Sequence, residues 1–278
     1  MKLQKVKNGM ATIIIWALSM VTVLPLILVV GYIIYHGSRH LSFDLITKNP
    51  VPVGEEGGGV LNGIVGSGMI LAVAAVIGIP LGLLGGMYLA EAKRGKLKQS
   101  IRLSVEILQG VPSIIIGIVV YVMVVRHSGF SAMAGGIALA IMMLPIIVIS
   151  AEEVLQLVPL DLKEAGIALG MPRWRVSLFV MLKTGLGGVI SGILLSLSRV
   201  AGETAPLLFT AFGSQYLSFN LDKPIAALPL QIFNYSISPY PEWHALAMSA
   251  SFLLLVFILV VNIITRVFLE RMNFVGRR

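Results

Sequence analysis

Cysteine is absent from the 278-residue chain, which excludes disulfides, thiolate metal centres and cysteine nucleophiles. Charge is scarce as well. Only 12% of residues are charged, about half the share in ordinary globular domains, while 57% are hydrophobic and mean hydropathy is +0.93. Such a chain cannot cover its surface with polar groups, so water is not its main solvent. Acidic residues are fewer than basic ones, 13 against 21, leaving a net charge of +8. Nucleic-acid binders cluster such an excess on a folded polar surface; here Lys and Arg lie between apolar runs, and the excess reads as membrane topology.

Enzyme signatures are also missing. The one Gly-Lys pair, Gly95-Lys96, is followed by Leu97, so the phosphate-cradling loop of P-loop ATPases is absent. All four histidines fall outside or at the edge of the apolar runs, which leaves a serine hydrolase without its base. His36 and His40 have i, i+4 spacing but no matching carboxylate or thiol, and they read as loop surface rather than metal ligands. No catalytic residue and no metal site is assigned.

What the chain has is long apolar runs. A hydrocarbon core of about 30 Å takes roughly 20 apolar residues in a helix, and six runs reach that scale: Ala11 to Tyr35, Val60 to Ala90, Ser104 to Val125, Ala132 to Ser150, Thr184 to about Pro206, and Leu246 to Phe268. The first is too long for a signal-peptide core and precedes no small-x-small cleavage site, so it reads as a retained span. The expected fold is an all-α polytopic membrane protein of about six spans. Residues 1–59 form an N-terminal tail, first span and loop, and residues 60–278 form the transmembrane domain proper, interrupted by a loop at 151–183.

Cytoplasmic loops collect Lys and Arg. One side of the expected topology holds Lys2, Lys5, Lys7, Lys93, Arg94, Lys96, Lys98, Arg102, Lys163, Arg173, Arg175, Lys183, Arg266, Arg271, Arg277 and Arg278, and the other only Arg39, Lys48, Arg126 and Lys223. Both termini and the 151–183 loop are thereby expected in the cytoplasm. Tyr216, Phe233, Tyr235, Tyr240 and Trp243 suit an interfacial aromatic belt on the far side. Gly78, Gly82 and Gly86, and Gly188 and Gly192, repeat at four-residue spacing, as close helix packing requires. Pro80, Pro112 and Pro145 each remove a backbone donor within a span, so bends are expected there.

The 151–183 loop has structure of its own. Pro159 suits the start of a short helix whose Leu162, Ala165, Gly166 and Leu169 share a face at i, i+3, i+4 and i+7. Gly170 can end that helix and Pro172 can open a second. A charged amphipathic corner of this kind suits docking to a soluble partner, with an interfacial helix on lipid as the alternative. Glu164-Ala165-Gly166-Ile167-Ala168-Leu169-Gly170 resembles the Glu-Ala-Ala loop of ATP-binding-cassette importer permeases. It departs from that pattern at Gly166, in place of the second Ala, and at Lys183, where many members have Pro. The resemblance implies a coupling-helix pair seated in a cleft of a cytoplasmic ATPase, with Glu164, Ala165, Gly166 and Gly170 at the contact.

A second segment carries charge into an apolar run. Arg199 and Glu203 are spaced i, i+4, so on a helix they share a face, and an intramembrane charge marks a pathway by default. The Arg199 guanidinium offers forked donors for an oxyanion, Thr204 adds a hydroxyl, and Glu203 can moderate the affinity. Neutralisation of Arg199 by Glu203 as a purely structural pair is the alternative. Glu106 and Gln109, one turn apart, form either a polar interfacial face or a second pathway contact.

Ser198 to Ala211, together with Gln109-Gly110-Val111-Pro112-Ser113 and Ala227-Leu228-Pro229, resembles the permeases of ATP-binding-cassette phosphate importers from about Val60 to the C-terminus. The resemblance implies a type I importer permease in a bacterial or archaeal plasma membrane and phosphate as cargo passing near Arg199. It also implies a heterodimer with a second permease, two copies of an ATPase that binds ATP and Mg²⁺, and an external phosphate-binding protein. From the residues alone, one Arg matches any tetrahedral oxyanion, and a secondary transporter or channel differs by needing no docking corner.

Overall fold

The computed structural model describes residues 2–52, 55 and 57–275; Arg277 and Arg278, used in the charge argument, lie outside them. Helices dominate: α1 Lys2–Gly37, α2 Phe43–Thr47, α3 Leu61–Glu91, α4 Lys96–Gly110, α5 Ser113–Ser128, α6 Ala132–Gln156, α7 Leu160–Ala168, α8 Arg173–Thr184, α9 Leu186–Val200, α10 Ala205–Leu208, α11 Leu228–Ser236 and α12 Pro241–Val275. Four helices, α1, α3, α6 and α12, are each long and apolar enough to cross a bilayer, and the bent pairs α4–α5 and α8–α9 bring the number to six if each pair is one span.

The seam between α3 and α6 organises the bundle. Gly78 lies against Ala140 and Met143, Gly82 against Ile147, and Gly86 against Ala151, so the two helices run parallel. A Cβ on Gly82 would sit 2.7 Å from that of Ile147, a distance side chains do not tolerate. Helices in lipid gain little by hiding apolar surface from an equally apolar solvent, and close backbone approach replaces that gain. Gly188 meets Val154 and Gly192 meets Ser150, which packs α9 antiparallel on α6. The buried centre follows from this layout: Ile70 and Ala74 of α3, Leu139, Met143 and Ile147 of α6, Val200 of α9, Leu207 of α10 and Leu230 of α11. By contrast α1 is lipid-exposed along its length and touches the bundle at its end, where Gly37 lies on Met248 and Phe252 of α12.

Three expectations change. Among the three prolines only Pro112 stands at a break, and α4 and α5 meet there at 107°. A residue preceding proline avoids the helical region, and Val111 is extended with ψ 126°. Pro80 and Pro145 instead lie inside uninterrupted helices, Pro80 between Gly78 and Gly82 and Pro145 between Met143 and Ile147, where the α3–α6 seam holds the backbone in register. The fifth run, expected from Thr184 to about Pro206, opens at a 77° bend at Gly185 that follows α8, and its helix α9 stops at Val200. Third, Tyr235 is not part of a surface belt: it is 7% exposed and packs on Trp243 at 5.0 Å.

Candidate substrate path and docking corner

Arg199 occupies the last turn of α9, where a cation complements the carbonyl end of the helix dipole. The neighbouring hydroxyls donate back into their own helix, Ser196 to Ile193 C=O and Ser198 to Leu194 C=O. Beyond Val200 the chain closes a turn, with the Gly202 N–H donating to Arg199 C=O and the Glu203 N–H to Val200 C=O. Gly202 weakens helix continuation, and Glu203 therefore lies past the helix rather than on the face of Arg199. Among the described residues no ion pair joins Arg199 to Glu203, and the guanidinium is exposed. Glu203 is half-buried.

Thr204 precedes the short α10, which Pro206 stiffens at its start. Gly117 of α5 lies directly on Pro206, leaving no room for a Cβ, which would come within 2.7 Å of the Pro206 Cα. Thr204 and Gly202 line an open pocket of about 590 Å³ bordered by α1, α11 and α12, and neither Arg199 nor Glu203 borders it. Arg199, Glu203 and Thr204 are thus close in the chain without all lining this pocket.

The docking corner is built as its punctuation suggests. Pro159 caps α7, and Gly170 ends it with φ +80°, a conformation that favours glycine. The Gly170 N–H donates to Ile167 C=O at 2.9 Å and the Met171 N–H to Gly166 C=O at 3.2 Å, the reciprocal pair of a Schellman cap. Pro172 then opens α8, which runs on to Thr184. Glu164 and Ala165 are exposed, while Gly166 is buried against Val176. The apolar face is left open: Leu157 and Leu169 are each 83% exposed, Leu160 71% and Trp174 57%. Ser177, just after the corner, hydrogen-bonds to Glu91 at the end of α3.

Glu106 and Gln109 are both exposed on α4. Glu106 lies 3.8 Å from Arg102 Nε, and the same Arg102 donates through Nη2 to Glu152 at 3.1 Å. Local spacing did not reveal that second pair, whose members are 50 residues apart. Nor did it reveal the buried amide pair in which Gln231 Nε2 donates to Asn62 Oδ1 at 2.8 Å. Phe212, with a positive φ of 63° and its ring stacked on Phe130 at 4.5 Å, was also missed.

A bundle of long apolar helices and two bent helix pairs, with a capped helix-turn-helix corner holding large apolar side chains exposed, has the architecture of a polytopic membrane protein. Residues 78–274 match the model of the binding-protein-dependent transport system inner membrane component, and the chain belongs to that family. It is 41% identical to the phosphate transport system permease protein PstA of Yersinia pestis over 263 residues, 94% of this chain and 89% of that one. Identity to the protein of that name from Haemophilus influenzae is 42% over 86% of this chain and 85% of the relative. The Mycobacterium tuberculosis phosphate transport system permease protein PstA 1 (strain H37Rv) is 33% identical over 94% of this chain and 86% of its own length. Among solved structures, an inward-facing MetNI methionine ABC transporter aligns with TM-score 0.57 and 19% identity over 76% of this chain and 93% of that one. The fold is that of a type I ABC importer permease.

Proposed function

We propose that the chain is a permease subunit of an ATP-driven phosphate importer, forming half of the translocation path. The observation that carries this reading is Arg199, an exposed guanidinium with no carboxylate partner among the described residues, in a chain 41–42% identical to relatives named for phosphate transport. Leaving an Arg unpaired within a bilayer costs about 2.5 kcal/mol or more near its centre. A water-filled path that delivers an oxyanion removes that cost, and the fork binds two phosphate oxygens at once. Glu203, one turn on, opposes overly tight binding by charge, and Thr204 supplies a hydroxyl beside the path. Glu106 and Gln109 serve as a secondary contact nearer the other end.

In this reading both termini and the corner face the cytoplasm of a bacterial or archaeal plasma membrane. The open Leu157, Leu160 and Leu169 surface, with Glu164 and Ala165, docks on an ATPase. Two copies of that ATPase bind ATP and Mg²⁺, a second permease completes a heterodimer, and an external binding protein delivers phosphate. The chain itself holds no cofactor and catalyses no hydrolysis. Coupling follows when the two nucleotide states favour different packings of the bundle.

Labelled-phosphate uptake by cells carrying the wild-type chain, Arg199→Ala or no chain, with membrane levels checked, tests the reading. Loss of uptake without the chain and with Arg199→Ala, while the variant persists in the membrane, is the expected result. Intact uptake without the chain, in cells lacking other phosphate importers, overturns the substrate.

A further inference from the structure

Glu152 is the one carboxylate among the described residues buried to 1% exposure. It stands four residues before the end of α6, on the stem that leads into the docking corner. A buried carboxylate needs both charge and hydrogen-bond partners, and Glu152 has them: Arg102 Nη2 donates to Oε2 at 3.1 Å and Gln156 Nε2 to Oε1 at 3.0 Å. Arg102 belongs to α4 and also faces Glu106 at 3.8 Å. Around the pair, Val105 of α4 packs with Leu89 and Val148, so α4 is fastened to the α3–α6 seam by one charged tie over an apolar contact.

What α4 touches next gives the tie its role. At Val111–Pro112 the chain turns 107° into α5, and Gly117 of α5 presses on Pro206, seven residues after Arg199. A rigid α4 therefore joins the stem of the docking corner to the segment that carries the anion-binding candidate. We infer that Glu152 and Arg102 are positioning residues that make α4 follow the corner, so that movement imposed at α7 and α8 reaches the Arg199 segment. This rests on the ATP-driven reading above.

The test uses the assembled transporter, with its partner subunits, in proteoliposomes, and reads ATP hydrolysed per phosphate imported together with thermal stability. Arg102→Gln and Glu152→Gln are expected to raise that ratio roughly fivefold, the lower end of ordinary coupling between sites. The double variant Arg102→Met with Glu152→Leu removes both charges and with them the penalty of an orphaned buried ion. It is expected to regain wild-type stability and to stay uncoupled. A double variant with wild-type stability and a wild-type ratio makes the pair mere packing and overturns the inference. Failure of that double variant to assemble assigns the pair to folding and overturns it equally. Wild-type vesicles that import phosphate without hydrolysing ATP would instead sink the importer reading itself.

Discussion

Gly166 is buried so closely against Val176 that a Cβ in its place would stand 3.1 Å from Val176 Cγ2. This contact joins the two arms of the corner, at the position where the family motif has alanine. Alanine gains about 1 kcal/mol of helix propensity over glycine, but Val176 must then shift by a few tenths of an ångström. The two effects offset, and Gly166→Ala is expected to import at close to the wild-type rate. Gly166→Leu cannot be accommodated and is expected to lose uptake and co-purification of the ATPase while remaining in the membrane. Wild-type co-purification from Gly166→Leu would show that the corner docks without this packing.

Gly82 predicts a different kind of failure. Its hypothetical Cβ overlaps Ile147 on the α3–α6 seam, far from the corner and from Arg199 in sequence. Gly82→Leu is expected to reduce the amount of folded protein in the membrane, because forcing a large side chain into a packed seam typically costs about 1–3 kcal/mol or more. Pairing it with Ile147→Ala, which clears the space, is expected to recover part of the loss. Detergent-extracted folded protein measured for the two variants decides the matter, and equal yields for the single and double variants would contradict the seam.

The six apolar runs were legible because hydrocarbon thickness imposes a length on any spanning helix, and the corner was legible because Pro159, Gly170 and Pro172 punctuate it locally. Where proline acts was not legible. Pro80, Pro112 and Pro145 look alike in sequence, yet only Pro112 stands between two helices, while the other two lie inside continuous ones. Arg199 and Glu203 misled for a related reason: their spacing is helical, but α9 ends between them. Arg102 and Glu152 could not be paired from sequence at all, since the fold rather than any short spacing brings them together.

Burial of Tyr235 raises its pKa from the usual 10 to about 12. The native chain then keeps this proton when the unfolded chain has already lost it, so stability falls as pH climbs from 10 towards 12 and is unaffected by this group below 10. Tyr235→Phe removes the titration. Thermal unfolding of the detergent-solubilised protein is expected to show a wild-type minus variant difference that is constant up to pH 10 and then shifts against the wild type. A difference unchanged to pH 12 would mean that the phenol titrates alike in both states.

Glu203 gives the sharpest test of the proposed path, because the structure separates it from Arg199. Had the two formed an ion pair on one helix face, Glu203→Gln would leave an unbalanced arginine and mainly destabilise the span. Without that pair among the described residues, the effect of the carboxylate on phosphate in the proposed path would be repulsion between like charges. Glu203→Gln is therefore expected to leave the membrane level unchanged while phosphate is held more tightly and released more slowly. In reconstituted transporter this lowers both the half-saturating phosphate concentration and the maximal rate, and by roughly similar factors when release limits turnover. Arg199→Lys acts in the opposite sense: it keeps the charge but loses the fork, so the half-saturating concentration should rise. If Glu203→Gln changes neither constant while Arg199→Lys still weakens binding, Glu203 lies outside the path and the anion site is built on Arg199 alone.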